Sequence, residues 1–276
     1  MSRVHSVRLG VAGGLPAVLA HCFLGHSGAW SRLIPALRTP IDALAFDLPG
    51  HGGSAPWDGQ SDPLGFVAAT FEELVDRPTL LIGHSFGGAA ALRFAVAHPE
   101  LVAGLVLIEP VYFSVAVDEP EFAANQLAEE PMHAAFRNGD LERAAAEFFA
   151  LNGDSAGWAA MTERMRRQII GQMPILAASL PRLQRDSGGV LEPGRLDELR
   201  APVLLLDGAN SPPIFDAVNR ALARRLPHAR RHTVPNAGHM LPITHAAEVA
   251  AVIDDWLDAT PDGAEAGRQK TETRAG

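Results

Sequence analysis

The stretch Thr79–Ala95, TLLIGHSFGGAAALRFA, limits the folds open to this chain more than any other. An apolar run, Thr79–Ile82, leads into Gly83-His84-Ser85-Phe86-Gly87, and small and apolar residues at helical spacing follow from Gly88 to Ala97. Gly-x-Ser-x-Gly between a predicted strand and a predicted helix is the setting of a nucleophile elbow. The spacing has a steric cause. In so tight a turn the residues two before and two after the serine nearly touch, so only small ones fit. Both are glycine here, and Gly88, Ala89, Ala90 and Ala91 let the helix lie close to the sheet. Ser85 is then expected on a strained turn with its hydroxyl exposed at the strand end. An ordinary serine in a glycine-rich turn, or a phosphate cradle at a helix N-terminus, would also place glycines here. Phosphate cradles carry GxGxxG or GxxxxGK[ST], and neither occurs.

Around this element, strand and helix patterns alternate. Strands are predicted at Val4–Leu9, Pro16–His21, Ile41–Phe46, the elbow, Leu101–Ile108, Pro202–Leu206 and His232–Val234. Helices are predicted at Trp30–Leu37, from Asp62-Pro63 to about Val75, after the elbow, from about Pro213 to Leu226, and from about Ala246 to Leu257. Leu48–Pro63 is loop. The alternation implies an α/β fold, a mostly parallel sheet with helices on both faces. From Tyr112 to about Leu196 the texture changes. Apolar residues recur at mixed three- and four-residue spacing, broken by Pro131, Gly139, Gly153 and Pro174, which predicts several short helices and no strand. The expected organisation is a core of residues 1–111 and 197–259, an inserted helical lid at 112–196, and a disordered polar tail at 260–276.

Composition narrows the function classes. With 23 basic and 32 acidic residues the net charge is −9, which argues against a general nucleic-acid or anionic-membrane surface. The only lysine is Lys270 and arginine supplies the other cations, a composition that hints at a GC-rich bacterial genome. A lone cysteine, Cys22, excludes an intramolecular disulfide and fits a reducing cytoplasm. The first residues lack a basic-then-apolar leader, and no apolar run of about 18 residues is present, so a soluble, unexported protein is expected. No metal-ligand cluster or cofactor fingerprint appears. The expected partner is a small-molecule substrate.

A serine hydroxyl is a poor nucleophile until a base takes its proton, and the base must itself be oriented. The candidate base is His239, in Pro235-Asn236-Ala237-Gly238-His239-Met240, between the last strand and the last helix. That loop can bring an imidazole over the elbow, and Ala237 and Gly238 let it approach. His84 lies inside the elbow with its side chain directed away from the serine's. His228 and His245 read as surface or helix-start residues.

HCFLG, DLPGHGGS, GHSFGG, LVLIEP and NAGHM, in this order and spacing, resemble the α/β-hydrolase family over Val4–Leu257. The resemblance implies that Ser85 is the nucleophile and His239 the base. It also implies an oxyanion hole from the backbone N–H groups of Phe23 and Phe86. Donors preset against a developing oxyanion can stabilise it by roughly 3–4 kcal/mol each. Two departures stand out. The usual His-Gly is His21-Cys22 here; Cys22 lacks an elbow and reads as a small buried thiol rather than a nucleophile. The family's acid, in a Gly-x-x-Asp pattern, is replaced by Gly208-Ala209-Asn210-Ser211, and a serine does not stabilise an imidazolium as a carboxylate does. Glu109 ends the strand after the elbow helix and points at the same crevice, an arrangement similar to that of haloalkane dehalogenases. Glu109 is therefore the proposed orienting acid, with Asp207 as its rival.

Serine at the elbow argues for acyl transfer, since family branches such as dehalogenases and epoxide hydrolases carry aspartate there. A lid rich in Phe, Met, Leu and Trp158 implies an apolar pocket, although most of those residues are expected to hold the lid's helices together. The leading expectation is a carboxylic-ester hydrolase for small or medium apolar acyl groups. Carbon–carbon bond hydrolases and cofactor-free lyases, such as the menaquinone-pathway synthase, share the framework. They differ by an arginine or polar cluster for an acidic substrate, for which Arg93, Arg137, Arg164, Arg166 and Arg167 are candidates. A ligand receptor without turnover is the alternative outside enzymes.

Overall fold

The computed structural model describes residues 4–260, so the expected tail lies, from residue 261 on, outside the described residues. Seven strands, β1 (Ser6–Gly10), β2 (Leu15–Ala20), β3 (Ile41–Phe46), β4 (Thr79–His84), β5 (Val102–Ile108), β6 (Val203–Gly208) and β7 (Ala229–Val234), form one sheet in the order β1-β3-β2-β4-β5-β6-β7. β1 runs antiparallel to β3; every other pair is parallel. The α-helices among the described residues are α1 (Leu33–Ala36), α2 (Pro63–Leu74), α3 (Phe86–Ala97), α4 (Pro120–Arg137), α5 (Leu141–Leu151), α6 (Ser155–Ala160), α7 (Glu163–Gln184), α8 (Arg195–Glu198), α9 (Pro213–Ala223), α10 (Leu241–Thr244) and α11 (Ala246–Asp258).

The central strands are apolar on both faces because both faces are covered. Val18, Leu81, Leu105, Leu107 and Leu205 enter one core with α2, α3 and α9. Their neighbours Leu19, Leu80, Ile82, Val106, Ile108 and Leu204 enter the other with Trp30, Ile253 and Trp256. The edge strand β7 exposes Arg230, Arg231 and His232, charges that discourage pairing with another chain. Where the chain enters α2, the Asp62 carboxylate accepts the Leu64 N–H at 3.1 Å and Pro63 occupies the first turn.

Two local expectations change. Trp30–Leu37 is not one helix but a 3-10 turn, Ser27–Trp30, followed by the short α1, in which Pro35 limits backbone bonding. Pro131 and Pro174 do not end helices either. Pro131 lies inside the 18-residue α4, and Pro174 and Pro181 lie inside the 22-residue α7. An interior proline costs a helix roughly 3 kcal/mol. Here each helix continues through its prolines with its apolar side buried: Phe122, Met132 and Ala135 from α4, and Met173, Leu176, Leu180 and Leu183 from α7. The helices from Pro120 to Gln184 all fall between β5 and β6 in sequence. Among the described residues no helix is long and apolar enough to cross a membrane.

Candidate active site

The elbow shows the close approach anticipated from its glycines. A Cβ on Gly83 would stand 2.6 Å from the Gly87 carbonyl oxygen, and one on Gly87 only 2.2 Å from the Ala20 carbonyl oxygen. Ser85 adopts φ +55, ψ −115 between β4 and α3. Its N–H donates to the Ile108 carbonyl at 2.9 Å, while its own carbonyl accepts from Ala89 at 3.0 Å and starts the helix. Among the described residues the non-glycine residues with positive φ are Leu24, Ser85, Glu109 and Asn236. Each lies on a loop that carries a candidate site residue, the distribution expected where backbone strain serves function.

Three of the sequence-predicted side chains meet. The Ser85 Oγ–H donates to His239 Nε2 at 3.1 Å, and His239 Nδ1–H donates to Glu109 Oε2 at 2.5 Å. A carboxylate only accepts, so it fixes the proton on Nδ1 and leaves Nε2 free to receive one. The other carboxylate oxygen, Oε1, accepts the Gly208 N–H at 2.7 Å, and the Glu109 side chain is fully buried. Phe215 stacks on the His239 ring, centroids 4.5 Å apart and planes 15° apart. Asp207 points elsewhere. Its Oδ2 accepts from Asn219 Nδ2 at 3.0 Å and lies 4.0 Å from Arg231.

The Phe23 and Phe86 N–H groups have no acceptor among the described residues, as an oxyanion site requires. The loop that carries Phe23 is fixed by imidazoles despite the Cys22 substitution. His21 Nδ1–H donates to the Cys22 carbonyl at 2.7 Å, and His21 Nε2 accepts the Leu48 N–H at 3.0 Å. His51 Nε2 accepts the Leu24 N–H at 3.1 Å. Burial first, then the neighbouring His51, holds His21 down to about 3, so both roles persist at neutral pH. Below this loop, burial works against the charge on Asp47. The N–H groups of Gly53 and Ser27 and the His5 ring outweigh it and hold the carboxyl down to about 2. Burial pushes the Cys22 thiol up to about 12, which makes it inert as a nucleophile.

His84 bonds the backbone of the candidate base. Its Nε2–H donates to the His239 backbone carbonyl at 2.8 Å, and burial, followed by the nearby His239, keeps it well below the usual imidazole value. Sequence reasoning missed this tie, and that of Phe215, because both depend on how distant loops meet. A narrow cavity of about 70 Å³ is lined by Ser85, His239, Phe23 and Phe86 on the sheet side. Phe148, Leu151, Leu176, Leu180 and Leu183 make it apolar, and Asn125, Glu129 and Asn152 are polar members of its wall. Arg93, Arg137, Arg164, Arg166 and Arg167 do not line it. Arg93 pairs with Asp62, Arg137 with Glu130 and Arg167 with Glu163, while Arg166 lies over the Trp158 ring. Among the described residues no group of three or more His, Cys, Asp or Glu is arranged to hold a metal.

Fold and geometry together define a class of protein. Residues 17–252 match the model of the alpha/beta hydrolase family, and the chain belongs to that family. It is a hydrolase. In particular, it is 31% identical over 257 residues to a pimeloyl-(acyl-carrier protein) methyl ester esterase of Methylococcus capsulatus, covering 88% of this chain and 95% of that one. It is 28% identical over 246 residues to Esterase Rv0045c of Mycobacterium tuberculosis, covering 84% of this chain and 79% of that one. A hydrolase from Pseudomonas aeruginosa superposes with a TM-score of 0.72 at 21% identity, covering 93% of this chain and 94% of that chain, a likeness of fold.

Proposed function

We propose that this chain is a serine hydrolase that acts by acyl transfer on carboxylic esters with small or medium apolar acyl groups. The observation that carries the reading is the unbroken hydrogen-bonded chain from Ser85 Oγ through His239 to Glu109. In this scheme the Ser85 oxygen attacks the ester carbonyl carbon as His239 Nε2 takes its proton. The carbonyl oxygen becomes an oxyanion held by the N–H groups of Phe23 and Phe86. When the carbon–oxygen bond to the alcohol breaks, His239 returns its proton to the departing alkoxide and an acyl-Ser85 ester remains. Water, deprotonated by the same imidazole, then attacks that ester, and the carboxylic acid leaves as Ser85 regains its proton.

Glu109 orients the imidazole and balances its transient charge, and residues 112–196 serve as the lid that shapes the pocket. The apolar lining supports an apolar acyl group. That no arginine among the described residues lines the cavity favours ester hydrolysis over carbon–carbon cleavage of an acidic substrate. The test is labelling by a fluorophosphonate probe, expected for the wild type and lost in Ser85→Ala. p-Nitrophenyl esters of increasing chain length, run beside a meta-cleavage dienoate, complete it. Turnover of the dienoate above that of every ester would overturn the ester assignment, and labelling that survives Ser85→Ala would overturn the nucleophile.

A further inference from the structure

One wall of the cavity does not match the rest. Glu129, on α4, is only 5% exposed yet lines a mostly apolar cavity. Its Oε1 accepts from Asn125 Nδ2 at 2.9 Å and its Oε2 accepts from Gln184 Nε2 at 2.9 Å, while His133 Nε2 stands 3.6 Å from Oε2. Burial raises the carboxyl above its ordinary value, so the site disfavours the negative charge it holds. Tying α4 to the end of α7 does not call for that cost, because apolar packing joins helices without burying a carboxylate. The neighbouring amides extend the pattern. Asn125 Nδ2 is turned to Glu129 and Asn152 Nδ2 to the Phe148 carbonyl at 2.8 Å, and neither amide oxygen has a donor among the described residues. Both residues line the cavity. Two half-buried amide oxygens and a buried carboxylate thus give this cavity acceptor capacity that a donor on a bound ligand can use.

We propose that Asn125, Glu129 and Asn152 form a subsite for a hydrogen-bond-donating group on the substrate, with an ammonium preferred over a hydroxyl and a carboxylate rejected. The proposal rests on the ester-hydrolase reading and narrows its substrate class to esters that carry such a donor on an apolar chain. The apolar lining takes the chain, and the acceptors take its polar end. Anionic chains meet a buried carboxylate and are excluded by like charge.

The test is a matched series of methyl esters of six- and eight-carbon acids ending in methyl, hydroxyl, ammonium or carboxylate. For the wild type, kcat/KM is expected to be at least about tenfold higher for the ammonium ester than for the methyl-terminated one at the better chain length. The gain is expected to lie in KM, with the carboxylate ester lowest. Glu129→Gln removes the charge but keeps the shape, and is expected to reduce the ratio of kcat/KM for the ammonium ester to that for the methyl-terminated ester about tenfold. Should Glu129→Gln fold poorly, Asn152→Leu, whose amide bonds only its own helix, is expected to lower the hydroxyl preference alone. Calorimetric binding of hexylammonium, hexanol and hexanoate to the wild type gives a readout independent of turnover, with hexylammonium expected to bind most tightly. Equal or weaker use of the donor esters relative to the methyl-terminated ones overturns the subsite, as does an ammonium preference unchanged in Glu129→Gln. Ordinary p-nitrophenyl ester turnover alongside either result leaves the ester-hydrolase reading standing. Hexylammonium binding in a protein that cleaves no ester sinks the reading and keeps the subsite.

Discussion

Glu109→Gln is the sharpest perturbation available, because a neighbouring donor decides how the new amide will lie. The Gly208 N–H bonds Glu109 Oε1 at 2.7 Å and requires an oxygen there, so the glutamine carbonyl takes that position. The NH2 group is then forced to the place of Oε2, 2.5 Å from His239 Nδ1 in the wild type. An NH2 facing Nδ1 demands an acceptor, so the imidazole proton moves to Nε2, and the ring no longer accepts from the Ser85 hydroxyl at 3.1 Å. The imidazolium formed during attack also loses its counter-charge. Wrong-tautomer triads of this kind lose about 10³–10⁴-fold in kcat, or about 4–5.5 kcal/mol of transition-state stabilisation. Asp207→Asn is the matched control. Its carboxylate meets Asn219 Nδ2 rather than His239, and an amide oxygen can still accept that bond. Activity within about threefold of wild type is expected. The assay is kcat on p-nitrophenyl butyrate, with a circular-dichroism melt to show that both variants fold. Turnover within tenfold of wild type for Glu109→Gln, together with collapse of Asp207→Asn, would refute the argument.

Two further expectations follow from the same coordinates. Gly87→Ala drives a Cβ to 2.2 Å from the Ala20 carbonyl oxygen, where the nearest atoms are all backbone of Ala20 and His21. It should cost about 3 kcal/mol or more, whereas Gly171→Ala, with nothing within 4 Å, should be neutral or stabilising by up to about 1 kcal/mol. Melting temperatures read both, and a Gly87→Ala protein that melts with the wild type would contradict the close-contact account. Acid should also weaken the fold. His21, His51 and His84 all have folded-state values below the ordinary imidazole value, with burial the largest cause in each. A depressed value stabilises fully above the unfolded pKa of about 6.5, and that stability drains as pH falls below it, towards about 3 for His21. His21 alone should cost about 2 kcal/mol at pH 5. A melting temperature that holds steady or rises between pH 8 and pH 5 would contradict this.

What the chain reveals before folding is what depends on neighbours in sequence. Thr79–Gly87 reads as strand and sharp turn because its glycines and its apolar run are contiguous, and the sheet and family membership follow from that pattern repeated. Proline, by contrast, was a misleading punctuation mark at Pro131 and Pro174, since the burial that keeps α4 and α7 intact comes from contacts beyond the helix. Glu109 is favoured over Asp207 by its strand end and a family resemblance alone, without any view of where either carboxylate points. Both follow or end apolar strands, and only the packed sheet turns one carboxylate to His239 and the other to Asn219.

The same holds for the cavity wall. Asn125 and Glu129 stand four apart on α4 and so pair by helical spacing, but nothing in the sequence joins them to Asn152 at the end of α5 in one cavity lining. Local sterics and periodicity thus wrote the elbow, the strands and the fold class into the sequence. The direction of each side chain across the site was settled by tertiary structure, because it depends on where strands end and loops cross, which no short stretch encodes.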